Sequence, residues 1–114
     1  MLRPLIIAIC LPVAALADPL PALICQGTAP DWTLELTDTQ ARFDFRGLSE
    51  MDIPQRAQAQ GRDWPWALTL IGPRDSAIAI IDARQCNTTN YAAHVLTQQG
   101  EVPIMLTGCC SPAP

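Results

Sequence analysis

The chain has 114 residues, 49% of them hydrophobic and 16% charged, with 7 Lys+Arg against 11 Asp+Glu and five cysteines. An apolar share near one half excludes a disordered chain, and six glycines exclude collagen. No heptad pattern runs anywhere, which excludes a coiled coil, and the length fits one small domain.

The first element in chain order does not belong to the fold. Arg3 supplies a single positive charge, residues 5–16 are apolar apart from Cys10 and Pro12, and Ala15-Leu16-Ala17 offers small residues for cleavage. This pattern predicts an export signal peptide over residues 1–17, cut after Ala17. A spanning helix needs about 20 apolar residues, and only about 13 precede Asp18 and its two nearby prolines. Lipoprotein processing wants Gly or Ala before the cysteine, whereas Ile9 precedes Cys10 and Ile24 precedes Cys25. The expected mature chain is residues 18–114, a single small β domain, periplasmic or secreted, with no membrane-spanning segment left after cleavage.

Charge narrows the partners. All eleven acids follow Ala17, Arg3 leaves with the signal, and the chain has no lysine, so six arginines face eleven acids and the mature net charge is −5. The arginines are scattered among carboxylates, which argues against nucleic acid and against anionic lipid headgroups. An acidic surface attracts cationic proteins or peptides, although ordinary solubility accounts for the same charge.

Beyond Cys25 the periodicity is two. Trp32, Leu34 and Leu36 alternate with Thr33, Glu35 and Thr37, and Ala41, Phe43 and Phe45 alternate with Arg42, Asp44 and Arg46. That predicts a hairpin with one dry face. Its wet face sets Glu35 against Arg42, Asp44 and Arg46, where cross-strand pairs add tenths of a kcal/mol each. Residues 48–53 read as a short strand. Residues 54–60, with Pro54 in the first-turn position and Gly61 as a stop, read as one or two turns of helix. Trp64, Trp66, Leu68 and Leu70 then share a face, Gly72-Pro73-Arg74-Asp75 turns the chain, and residues 77–81 form an apolar run. The last predicted pair is residues 91–97 and 102–107 around Gln98-Gln99-Gly100. Pro103 lacks a ladder donor, so the final strand should be an edge or irregular at its start. Six or seven short strands predict an all-β fold, a small antiparallel barrel or sandwich stapled by disulfides.

Removing Cys10 leaves Cys25, Cys86, Cys109 and Cys110, an even number in a short exported chain, which reads as two disulfides. Joining Cys109 to its neighbour Cys110 would close a strained ring. Cys25 is therefore expected to bond one of the pair and Cys86 the other, with the choice open. On the loop-entropy account, closing about 84 residues contributes roughly 4.5 kcal/mol and closing about 24 roughly 3.5. Structural zinc wants C-x2-4-C or H-x3-5-H pairs, and neither spacing occurs, so no metal is expected. No C-x-x-C redox motif is present either.

Catalytic signals are weak. The only histidine, His94, falls mid-strand on the face opposite Tyr91, Ala93 and Val95, and Ser49, Ser76 and Ser111 lack a G-x-S-x-G context. The Asp residues fall mostly in turns or on wet faces, and no Gly-rich phosphate loop is present. No catalytic residue and no cofactor is expected. For an interaction surface the candidates are Pro30, Asp31, Trp32, Trp64 and Trp66. Large rings on the dry side of a small barrel usually fill it, so Trp32 and Trp66 are expected to be buried.

One stretch carries a resemblance. Cys25-Gln26-Gly27-Thr28-Ala29-Pro30-Asp31-Trp32-Thr33-Leu34, with Cys86 and the closing Leu106-Thr107-Gly108-Cys109-Cys110, resembles a family of small exported bacterial proteins of unknown function. That family has a Cys-x-Gly-(Asn/Thr)-Glu-Pro-Phe-Trp-Ser-Leu signature, a middle cysteine before a Ser/Asp/Met-rich turn, and a terminal Gly-Cys-Cys. This chain departs from it at Ala29 and Asp31, where the family has Glu and Phe, and at Asn87-Thr88-Thr89-Asn90-Tyr91 after Cys86. The resemblance implies a small β domain and a periplasmic address, and brings no established activity. The expected function is a non-catalytic binding or envelope-associated module whose partner is a protein or peptide. Alternatives are an inhibitor of a cationic lysozyme-type hydrolase, by similarity of plan to small exported inhibitors of C-type lysozyme, and a purely structural or stress-related envelope protein.

Overall fold

Among the described residues, the chain forms eight strands whose side chains alternate between the interior and the outside. The computed structural model describes residues 20–98 and 102–114. The predicted signal peptide and most of the predicted 98–100 turn lie outside the described residues. The strands are β1 (Leu23–Gly27), β2 (Trp32–Leu36), β3 (Gln40–Asp44), β4 (Leu48–Gln58), β5 (Trp66–Ile71), β6 (Ser76–Asp82), β7 (Tyr91–Gln98) and β8 (Ile104–Pro112). Each pairs antiparallel with the next, and β8 pairs back onto β1 through Cys25 opposite Cys110, closing a barrel.

The all-β expectation stands, with the architecture a barrel and the strand count eight instead of six or seven. The uncounted strand is β1. Only Leu23 and Cys25 are buried in it, and the half-buried Ile24 breaks a clean polar alternation. β8 also runs past Thr107 to Pro112, which supplies β1 with its second neighbour. Pro103 directly precedes β8, so the missing donor falls outside the ladder, and closure leaves no edge strand.

The helix expected over residues 54–60 is absent, because β4 continues through Pro54 to Gln58. Asp52 opposes Ile71 and Gln55 opposes Thr69, so one extra residue is accommodated between Asp52 and Gln55, a bulge that Pro54 tolerates because it has no N–H to lose. Pro-Gln-Arg-Ala-Gln offers no apolar stripe to bury as a helix, whereas β5 offers a ladder partner. Arg56 beyond the bulge donates from Nη2 to the Thr37 carbonyl at 2.8 Å and to that of Asp38, holding the β2–β3 turn.

The interior is filled by the predicted dry faces. Trp32, Leu34 and Leu36 of β2, Ala41 and Phe43 of β3, Phe45, Leu68 and Leu70 of β5, and Ala77, Ala79 and Ile81 of β6 are all buried. Burial of side chains of this size contributes about 1.5 to 3 kcal/mol each for the larger ones. Outside, Glu35 stands opposite Arg42, whose guanidinium lies 3.8 Å from Glu35 and 3.9 Å from Glu50. These pairs are exposed and contribute little.

Trp32 dictates two glycines. Its Nε1 donates to the Thr107 carbonyl at 3.2 Å, and its ring meets Phe43 edge-on at 6.5 Å. A Cβ on Gly108 would collide with the Gln26 carbonyl and lie 2.7 Å from Trp32 Cζ2, and one on Gly27 would collide with Trp32 Nε1 and the Thr107 carbonyl. The indole therefore lies flush against bare backbone at the β1–β8 seam.

Candidate functional site

Strand alternation explains the two disulfides. On β8, Cys110 points inward and is fully buried, so it meets Cys25 of β1, directly opposite with Cα atoms 3.9 Å apart. Cys109 points outward and bonds Cys86, which arrives from the connection between β6 and β7. Neighbouring cysteines thus cross-link different layers: the expectation that Cys25 takes one and Cys86 the other holds, and the open choice resolves as Cys25–Cys110 and Cys86–Cys109.

The Cys86–Cys109 bond pulls residues 83–90 across the barrel wall. The tip is a tight reversal in which the Cys86 N–H donates to the Thr89 carbonyl and the Thr89 N–H to the Cys86 carbonyl, both at 2.9 Å. The Thr89 hydroxyl adds a bond to the Cys86 carbonyl at 2.7 Å. Asn87 takes φ 54°, a left-handed conformation that Asn adopts more readily than most residues.

Beneath this loop lies an open cleft of about 920 Å³. Its floor is one register row of outward positions, Asp44 opposite Thr33, Thr33 opposite Gln26, Gln26 opposite Cys109 and Cys109 opposite Ala92. His94 and Thr107, opposite each other one step along the strands, widen it, while Thr28 and Asp31 from the β1–β2 connection and Arg84, Asn87 and Thr88 from the loop form its walls. Asp31, Asp44 and Arg84 are exposed, and among the described residues no salt bridge engages them. The cleft therefore presents two carboxylates, one guanidinium, an imidazole and several hydroxyl and amide groups ready for hydrogen bonding.

The residues singled out from sequence separate. Asp31 and Trp32 line the cleft, although Trp32 is only 2% exposed. Pro30 sits beside them in the connection, after a cis Ala29–Pro30 bond. Trp64 and Trp66 do not line the cleft; they lie at the barrel end away from the β1–β2 connection, the end where the 83–90 loop joins β6 to β7, with Trp66 starting β5 opposite Gln58 and Ile81 and Trp64 packed on Tyr91 at 5.5 Å between centroids. Trp66 is half-buried against the core, less deeply than expected, because it caps the barrel end. His94 faces outward opposite Ile80 and Thr107, as its strand phase predicted. Ser49 of β4 donates to Asp75 Oδ1 at 2.8 Å, tying β4 to the β5–β6 turn beside Gly72. Among the described residues, no three His, Cys, Asp or Glu side chains are placed to hold a metal.

Sequence reasoning missed Gln26, Thr33, Asp44, Arg84, Asn87 and His94 as one constellation. No local pattern joins them, because the row appears only once β1 and β8 are paired. The chain matches no family model, no curated protein and no solved structure.

Proposed function

We propose that this chain is an exported, non-catalytic binding module whose site is the cleft under the 83–90 loop, and that it takes a cationic peptide or a basic segment of an envelope protein. Two disulfides in so short a chain fit an oxidising compartment outside the cytoplasm, in line with the export signal read in residues 1–17. The observation that carries the reading is the Cys86–Cys109 anchor, which holds the loop against the wall so that the cleft is formed before any ligand arrives. Asp31 and Asp44 give one flank a negative charge that Arg84 does not reach by an ion pair, and the net charge of the chain is −4.

A titration followed by amide chemical shifts tests it. Adding an arginine-rich peptide should move the Gln26, Thr33, Arg84, Asn87 and His94 signals, and the response should fade in Asp31→Asn/Asp44→Asn. Shifts confined to other strands, or none, would overturn the assignment. The same two carboxylates favour a second reading, inhibition of a cationic lysozyme-type hydrolase. Micromolar excess of the protein should then slow lysozyme-driven lysis of bacterial cells, and unchanged lysis would remove that reading.

A further inference from the structure

Charged and large apolar side chains are spread unevenly over the barrel exterior, although Leu48 of β4 is also exposed. Outward positions on β2 to β4 include Glu35, Arg42, Asp44, Glu50 and Asp52. Those on β5 to β8 carry Ile71, Ile78, Ile80, Leu96 and Met105, with exposures of 46%, 43%, 39%, 45% and 64%. Ile78 stands opposite Leu96 and Leu96 opposite Met105, so three adjacent strands place apolar side chains in one row, with Ile71 and Ile80 flanking Ile78. Asp82 at the end of β6 and Asp52 opposite Ile71 border this face, while the Ile78–Leu96–Met105 row itself contains no Asp, Glu, Lys or Arg.

We infer that this face is the contact between two copies of the chain, packed about a two-fold axis near the Ile78–Leu96 pair. Area supports the occupant. A homodimer interface of standard size buries about 800 Å² per copy, roughly two thirds of it apolar, so each copy must supply about 500 Å² of apolar surface. The exposed parts of those five residues come to roughly 400 to 500 Å², at the scale where a surface patch serves an interaction. Charge supports it as well: two acidic molecules repel, and this face is where that repulsion is least. A lipid surface is a poorer occupant, because the face has no Trp, Tyr, Lys or Arg to anchor it at an interface. A closed barrel has no strand edge to share, so association must use side chains on its wall. The contact uses the Leu96 and Met105 halves of β7 and β8, and the cleft uses the Ala92 and Cys109 halves.

The test is sedimentation equilibrium on protein recovered from the periplasm with both disulfides intact. The expected result is a reversible dimer with a Kd between about 1 and 100 μM, as befits a convex contact of modest area. Leu96→Asp should weaken it about 100-fold by burying like charges at the axis, and Glu50→Gln on the opposite wall should leave it unchanged. If Leu96→Asp does not fold, Leu96→Thr, which keeps strand preference, should weaken the dimer about 10-fold. A monomer throughout the concentration range, a dimer indifferent to substitution at Leu96, or a monomer that floats with neutral phosphatidylcholine vesicles would each overturn the inference.

Discussion

Cys109 and Cys110 are consecutive in the chain yet bond on opposite sides of the barrel wall, Cys110 inward to Cys25 and Cys109 outward to Cys86. The two-residue period of a strand produces this directly. The consequence is a division of labour: the inner bridge closes the β1–β8 seam, and the outer bridge holds the loop that roofs the cleft.

The bridges should therefore fail differently. Removing the outer one with Cys86→Ser/Cys109→Ser releases a loop of sequence separation 23 and should cost about 3 kcal/mol while the barrel stays folded. Removing the inner one with Cys25→Ser/Cys110→Ser frees a separation of 85 and leaves two hydroxyls in a fully buried site. Its cost should reach about 5 kcal/mol or more, which is comparable to the whole stability of a small domain. Urea titrations of the two double variants, with peptide binding measured on the first, check both the order and the loss of the cleft.

Gly108→Ala should displace the Trp32 indole, since the new methyl group lands on the Gln26 carbonyl and within 2.7 Å of the ring. Overpacking of this kind costs about 1 to 3 kcal/mol, and loss of the indole bond to Thr107 adds about 1. A lower melting temperature together with increased iodide quenching of tryptophan emission is the expected pair of results. Unchanged stability would mean that the indole does not rest on this backbone.

Thr97 faces the barrel interior beside Ala77 and Ile104, fully buried, and its Oγ1 has no hydrogen-bond partner among the described residues. A buried hydroxyl left unpaired costs about 1 to 3 kcal/mol relative to an apolar group of the same shape. Thr97→Val should therefore stabilise the protein by about 1 kcal/mol, read as a higher urea midpoint at constant m-value.

Arg56→Ala removes the guanidinium that bonds the Thr37 and Asp38 carbonyls from beyond the β4 bulge. The site is exposed, so the loss should be about 1 kcal/mol or less, with faster amide exchange confined to the β2–β3 turn. Exchange that rises uniformly through the barrel would contradict this local role.

Much of the barrel was legible in its periodicity. The hairpin of Trp32 and Phe43, the Gly72 turn and the phase of His94 follow from alternation and turn chemistry, because each strand buries one face only. β1 escaped because a five-residue strand with one half-buried outward Ile24 gives no clean alternation, and the β4 extension escaped because Pro54 signals a helix start and a bulge equally well. The cleft was not legible. Asp44, Thr33, Gln26, Cys109 and Ala92 are brought into one row by register across five strands, and no local pattern encodes that.

The most direct measurement is disulfide mapping of the protein purified without reducing agent, by partial reduction, differential alkylation and peptide mass spectrometry. The structure requires Cys25 bonded to Cys110 and Cys86 bonded to Cys109. Finding Cys25 joined to Cys109, or free thiols at all four positions, would contradict both the closed seam and the anchored loop on which the proposed binding site depends.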